Sequence, residues 1–126
     1  MIVFTNGCFD ILHRGHVEYL EKSKALGTRL VIGLNSDASV RALKPGRPIN
    51  TQEDRKAVLL ALRSVDEVII FDEPSPLELI QTIKPDILTK GGDFKIDQVV
   101  GFSIVKQTII LPFLDGYSST RIINAF

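Results

Sequence analysis

The chain of 126 residues carries a single cysteine, Cys8, so no internal disulfide can form and a reducing compartment is expected. It lacks any apolar run near the ~20 residues of a membrane-spanning helix. It does not open on a basic stretch followed by an apolar one, so no secretory leader is expected. It lacks an excess of either charge: 15 Lys and Arg balance 15 Asp and Glu. That balance leaves no broad basic field for nucleic acid. No repeat, low-complexity segment or domain linker is visible. A cytoplasmic protein without a membrane or nucleic-acid partner is the expectation, with residues 1–126 forming one domain large enough for a core.

Several chemistries are also missing. Only two histidines are present, with no other His and no second Cys to complete a zinc site, so zinc is not expected. No G-x-x-x-x-G-K-[ST] appears, which disfavours a P-loop phosphoryl transferase. No G-x-G-x-x-G follows the first apolar segment, which disfavours a dinucleotide redox fold. No serine is marked as a nucleophile by its neighbours.

What is present alternates. Apolar runs at 2–4, 30–34, 67–71, 86–89 and 108–111 predict strands. Helical patterns are predicted over 16–26, from Asn50 to about Arg63, around 76–83, and from the 117–121 cluster to the end. In the second of these, Asn50 is the expected cap and Val58, Ala61, Leu62 and Val65 the inner positions. In the third, Ser75 is the expected cap and Leu77, Ile80 and Ile83 the stripe. The stretch 35–50 reads as a long polar loop, usually functional or mobile in so small a domain. This alternation predicts an α/β fold, a Rossmann-like open parallel five-stranded sheet with helices on both faces. Ligands of such sheets bind beyond the C-terminal strand ends, at the switch point of the strand order.

The polar clusters fall after strands. The first is Thr5-Asn6-Gly7-Cys8-Phe9-Asp10, followed by His13-Arg14-Gly15-His16. It reads as strand, glycine turn and helix start, with both imidazoles on one face and Gly15 allowing close approach. Unpaired backbone N–H groups and the positive dipole end of that helix are expected to seat an anion. Cys8 is expected as a small filler. The last cluster, Ser118-Ser119-Thr120-Arg121, sets hydroxyls and a guanidinium at a helix start, suited to phosphate oxygens. Lys44 and Arg47 in the long loop could close over a polyphosphate. Lys90-Gly91-Gly92-Asp93 is either a plain turn or a place where Asp93 accepts from substrate hydroxyls. Together these parts fit displacement at phosphorus, which needs alignment and charge stabilisation from the protein.

The Gly7-Cys8-Phe9-Asp10 and His13-Arg14-Gly15-His16 stretches resemble the signature of the H-x-G-H nucleotidyltransferases. The segment 117–122 resembles their second motif. More narrowly, 4–13, 33–37, 46–50, 53–55, 90–93 and 116–118 resemble the heptose 1-phosphate adenylyltransferases of ADP-heptose synthesis. The resemblance implies AMP transfer from ATP to heptose 1-phosphate, with Mg²⁺ bound with the ATP, for the lipopolysaccharide inner core. It implies transition-state stabilisation by His13 and His16, and phosphate contacts from Lys44, Arg121, Ser119 and Thr120. Thr5, Asn6, Gly7, Cys8 and Phe9 would wrap the nucleotide, with Gly15 and Ser118 beside it, and Asp10 would organise the turn. Asp37, Arg47, Arg55, Lys90, Gly91, Gly92 and Asp93 are the implied substrate residues. A homodimer is also implied. Relatives are often fused to a sugar kinase, so a free-standing enzyme or one half of a larger one is expected. Two departures stand out: the 44–47 loop is a residue shorter than the family pattern, and the 99–108 crossover is compact. A cytidylyltransferase acting on glycerol 3-phosphate, or a nucleotide-binding module without catalysis, are the competing readings.

Overall fold

A computed structural model describes residues 1–92, 94–112 and 118–125. Five strands, β1 (Ile2–Gly7), β2 (Arg29–Asn35), β3 (Glu67–Phe71), β4 (Ile87–Gly91) and β5 (Gln107–Leu111), form one parallel sheet in the order β3-β2-β1-β4-β5. The helices are α1 (Arg14–Ala25), α2 (Asp37–Leu43), α3 (Gln52–Leu60), α4 (Leu77–Ile83) and α5 (Ser119–Asn124). The expected fold class is therefore the observed one. Among the described residues no helix is long and apolar enough to cross a membrane.

The core lies in two layers because strand side chains alternate faces. On one face Val3, Leu30, Ile32, Val68 and Ile87 pack with Leu20 of α1 and Leu59 of α3. On the other, Phe4, Val31 and Leu88 pack with Ile80 of α4 and with Val99. The chain runs outward from β1 to β3 and then returns to place β4 on β1's other side. The switch point is thus the crevice beyond the C-terminal ends of β1 and β4, where ligands of such sheets sit.

Four expectations need correction. The supposed loop 35–50 contains α2. Ser36 caps it by accepting from the Ser39 amide at 3.2 Å. Its buried residues are Ser39 and Val40, so it shows no apolar stripe to read. Thr51, not Asn50, caps α3, accepting from the Asp54 amide. Within α3 the inward positions are Arg55 and Leu59, while Val58 and Ala61 face solvent. A buried arginine sets the phase of that helix, and an apolar count misses it. Leu77 is exposed, and Ser75 stands outside α4, where Pro76 is the cap residue and Ser75 Oγ accepts from the Leu77 amide. The compact 99–108 crossover holds one 3₁₀ turn, Phe102–Ile104, and another, Ile96–Gln98, precedes it.

A buried hydroxyl relay fixes α1 against the sheet. Tyr19 of α1 shares a 2.7 Å hydrogen bond with Thr5 Oγ1 of β1 and donates to Thr89 Oγ1 of β4 at 3.2 Å. Ser23, one turn on, meets the same Thr89 hydroxyl at 2.9 Å. Burial raises the Tyr19 pKa and the hydroxyl partners oppose it, so the phenol stays protonated. The relay sets the rotation of α1, and with it the aim of the two histidines at its start. Tyr19→Phe removes the central hydroxyl and with it one hydrogen bond each from Thr5 and Thr89, which keep only their bonds to the Thr89 carbonyl and to Ser23. The expected cost is about 1–2 kcal/mol, read as a lower urea midpoint with an unchanged m-value; an unaltered midpoint would contradict it.

Candidate active site

The β1–α1 turn is tightly built. Phe9 takes φ 46°, the left-handed region that a residue with a Cβ enters only at a cost. This turns its ring into the core, where it meets the His16 imidazole edge-on at 5.6 Å between centroids. His13 caps α1: its Nδ1 accepts from the Gly15 amide at 3.1 Å. His16, in the third helical position, reciprocates, its Nδ1 accepting from the His13 amide at 3.3 Å. The two rings lie 4.0 Å apart. The pair is a capping box made of two imidazoles in place of a hydroxyl and a carboxylate.

This geometry assigns the tautomer. Each Nδ1 accepts, so each neutral ring carries its proton on Nε2. Burial lowers the pKa of His13. Burial, then the charge of His13, then that of Lys44, push His16 down to about 4. At neutral pH the neutral form, with its proton on Nε2, is therefore the favoured one in both rings. Protonation would place a hydrogen on Nδ1 and break the cap. The expected anion seat of free backbone amides at α1 is accordingly corrected. The Gly15 amide serves His13, and the His16 and Val17 amides donate to the His13 carbonyl.

Three further groups converge on this turn. Lys44 is exposed and lies near enough to His16 to act on its charge. Arg47 donates from Nη2 to Thr120 Oγ1 at 3.0 Å, joining the 44–50 segment to the start of α5. Ser118 caps α5, accepting from the Arg121 amide at 3.0 Å. The structure thus gathers His13, His16, Lys44, Arg47 and the α5 start around one end of the sheet. Lys90 lies at the end of β4, half-buried, its ammonium 5.2 Å from the Phe94 ring centre. Burial lowers its pKa, and the neighbouring Cys8 opposes the shift. Gly91 ends β4, and Gly92, at φ 92°, makes the turn only a glycine makes freely. Asn6, Gly7 and Cys8 are half-buried along the same crevice. Asp93, expected as a hydroxyl acceptor, and Tyr117 lie outside the described residues.

Two expected ligand residues are placed elsewhere. Thr5 is buried with its hydroxyl in the Tyr19–Thr89 relay, so its side chain does not face the crevice. Arg55 is buried with its whole side chain at 0% exposure. It donates from Nε to the Asn50 carbonyl at 3.0 Å, from Nη1 to the Cys8 and Asn35 carbonyls at 2.8 Å each, and from Nη2 to Asp37 Oδ1 at 2.9 Å. It ties four segments and offers no donor to a ligand from within them. Asp10 works beside it: its two carboxylate oxygens accept from the Ile49 and Asn50 amides at 2.8 and 2.9 Å. Asn50 Nδ2 donates to the Asp10 carbonyl at 3.0 Å. Asp10 thus pins the 46–50 loop to the turn. Both its oxygens being taken, it is a poor first choice for a metal, and the described residues hold no cluster of three metal-ligating side chains.

This open α/β sheet, with paired histidines at its switch point, defines a nucleotide-handling class. A model of the cytidylyltransferase-like family matches residues 4–125, and the chain belongs to that family. It is 58% identical over 124 residues to the bifunctional protein HldE of Wolinella succinogenes, and 53% identical to that of Helicobacter pylori strain G27. Those alignments cover 98% of this chain but only 26% and 27% of the relatives, so the chain spans about a quarter of their length. A solved lipopolysaccharide core biosynthesis protein from Thermoplasma volcanium superposes with a TM-score of 0.78 at 32% identity, over 91% of this chain and 98% of that one. The fold also matches a pantoate-beta-alanine ligase from Francisella tularensis, with a TM-score of 0.62 at 18% identity over 98% of this chain and 68% of that one.

Replacing Arg55 by Leu leaves Asp37 and three carbonyls without their donor. The expected loss is about 3–5 kcal/mol, measured by urea denaturation, with Arg55→Lys recovering only part of it. A loss below about 1 kcal/mol would mean that the four segments hold together without the guanidinium.

Proposed function

We propose that the chain transfers AMP from ATP to heptose 1-phosphate, releasing pyrophosphate and forming ADP-heptose for lipopolysaccharide inner-core synthesis. The observation that carries this is the tautomer of the histidine pair. Two neutral rings with the proton on Nε2 are hydrogen-bond donors there, not bases. A sugar phosphate is already ionised and needs no base to attack. One of its phosphate oxygens forms a bond to the α-phosphorus of ATP while the bond from that phosphorus to the pyrophosphate oxygen breaks. Charge gathers on the equatorial oxygens of the α-phosphoryl group, where fixed donors stabilise it most.

The cations divide the remaining work. Lys44 and Arg121, with Thr120, hold the departing pyrophosphate, and the Arg47–Thr120 bond puts the two segments within reach of one another. Lys90, beside Cys8, flanks the nucleotide side of the crevice. The adenylyl and heptose specificities draw on the resemblance of 33–37, 46–50 and 90–93 to heptose 1-phosphate adenylyltransferases. The lipopolysaccharide assignment agrees with the likeness to the lipopolysaccharide core biosynthesis protein of Thermoplasma volcanium.

Pyrophosphate release with Mg²⁺, crossing ATP and CTP against heptose 1-phosphate and glycerol 3-phosphate, tests the proposal. Release only with ATP and the heptose is expected. Release only with CTP and glycerol 3-phosphate would overturn the substrates. His16→Ala is expected to lower kcat about 10²–10³-fold while ATP affinity changes little. Near-normal turnover in that variant would overturn the mechanism.

A further inference from the structure

Beside the 46–50 loop lies a surface cleft of about 300 Å³, at the small end of the ~300–1,000 Å³ usual for small-molecule sites. It is walled by Pro48 and Ile49 and carries four polar side chains: Asp37, Arg41, Arg47 and Thr51. This donor set is specific in kind. Two guanidiniums present planar forks suited to phosphate oxygens. Asp37 gives only Oδ1 to Arg55, which leaves an acceptor oxygen for hydroxyls. Thr51 adds a hydroxyl. Guanidiniums for a phosphate beside acceptors for hydroxyls are the chemistry of a site for a phosphorylated sugar or polyol.

The cleft is joined to the site by the same residues that build the site. Arg47 lines the cleft and bonds Thr120 at the start of α5. Ile49 lines it too, and its amide is held by Asp10 of the β1–α1 turn. Asp37 lines it, and Arg55 ties Asp37 to the Cys8 carbonyl of that turn. Arg47 therefore stands between the cleft and the start of α5. An in-line displacement puts the attacking oxygen opposite the leaving one, and a cleft across Arg47 from the α5 start suits the attacking side. Arg41 and Thr51 are the members that the sequence did not single out. Arg41 is exposed on α2, and among the described residues no carboxylate pairs with it.

We propose that this cleft is the acceptor site, in which Arg41 and Arg47 hold the phosphate of the sugar phosphate while Asp37 and Thr51 meet its hydroxyls. This deepens the functional proposal and rests on it for the identity of the sugar. Arg41 is then a specificity residue for the acceptor and plays no part in binding the triphosphate.

The test is steady-state kinetics of Arg41→Gln and Arg41→Lys with heptose 1-phosphate and ATP. Arg41→Gln is expected to raise KM for the sugar phosphate roughly 10- to 100-fold. KM for ATP, kcat and the melting temperature are expected to stay near wild type, and Arg41→Lys to recover part of the loss. An unchanged sugar-phosphate KM overturns the assignment. So does a rise in KM for ATP alone, which would give Arg41 to the nucleotide. Failure of the substrate reading is separately visible. If the wild type uses CTP and glycerol 3-phosphate, the same shift must appear in KM for glycerol 3-phosphate, or the cleft is not the acceptor site. If neither pair turns over, heptose 1-phosphate is titrated calorimetrically into protein saturated with α,β-methylene-ATP. Binding that Arg41→Gln abolishes supports the cleft; no binding, or equal binding in both proteins, overturns it.

Discussion

The reciprocal cap between His13 and His16 is the constraint from which the chemistry follows. Each ring accepts a backbone amide on Nδ1. One interaction therefore starts the helix, sets the ring centres 4.0 Å apart and keeps each Nε2 out of the cap. Ordinary caps use Ser, Thr, Asp or Asn, whose side chains have little else to offer once the amide is bound. An imidazole has a second nitrogen. A cap made of two of them holds two donors in fixed directions at a helix start, and the donors need no reorganisation when charge develops beside them. Neutrality is part of the design. Burial and the charge of Lys44 both oppose protonation of His16, so the cap and the donor state persist together.

That cap is useful only if the turn carrying it stays in place, and two buried networks hold it. The Thr5–Tyr19–Thr89 relay fixes α1 against β1 and β4 from below. Arg55 and Asp10 fix the turn from the side, binding it to the end of β2, the start of α2 and the 46–50 loop. A buried arginine without partners would be costly. Here four oxygens share its donors, so the charge becomes a rigid joint between segments far apart in sequence. The 44–50 loop, although exposed along most of its length, is anchored at Ile49 and Asn50, and this sets where Lys44 and Arg47 can reach.

Much of this was legible because it is local. Strand, glycine turn and helix start follow from residues 2–16 alone, and alternating apolar runs pointed to the parallel sheet and its switch point. The misses share a cause: they rest on partners distant in sequence. Arg55 read as a ligand residue because an arginine is usually solvated, whereas its partners at Cys8, Asn35, Asp37 and Asn50 come together only in the fold. The same mistake shifted the inner face of α3. Asn50 read as a helix cap, yet its amide and side chain serve Asp10, forty residues away. Helix α2 escaped notice because its buried face is Ser39 and Val40, too polar and too short for a periodic signal. Arg41 carried no signal at all until the cleft placed it beside Arg47.

The most direct test of the capping geometry is a ¹⁵N NMR titration of the two histidine side chains in the intact protein. At pH 7 both rings should show Nε2 protonated and Nδ1 unprotonated. On acidification His16 should remain neutral through about pH 5, well below the ordinary histidine value of about 6.5, in keeping with its depressed pKa. An Nδ1–H tautomer in either ring, or protonation of His16 close to the ordinary value, would contradict the reciprocal cap and the donor role that depends on it.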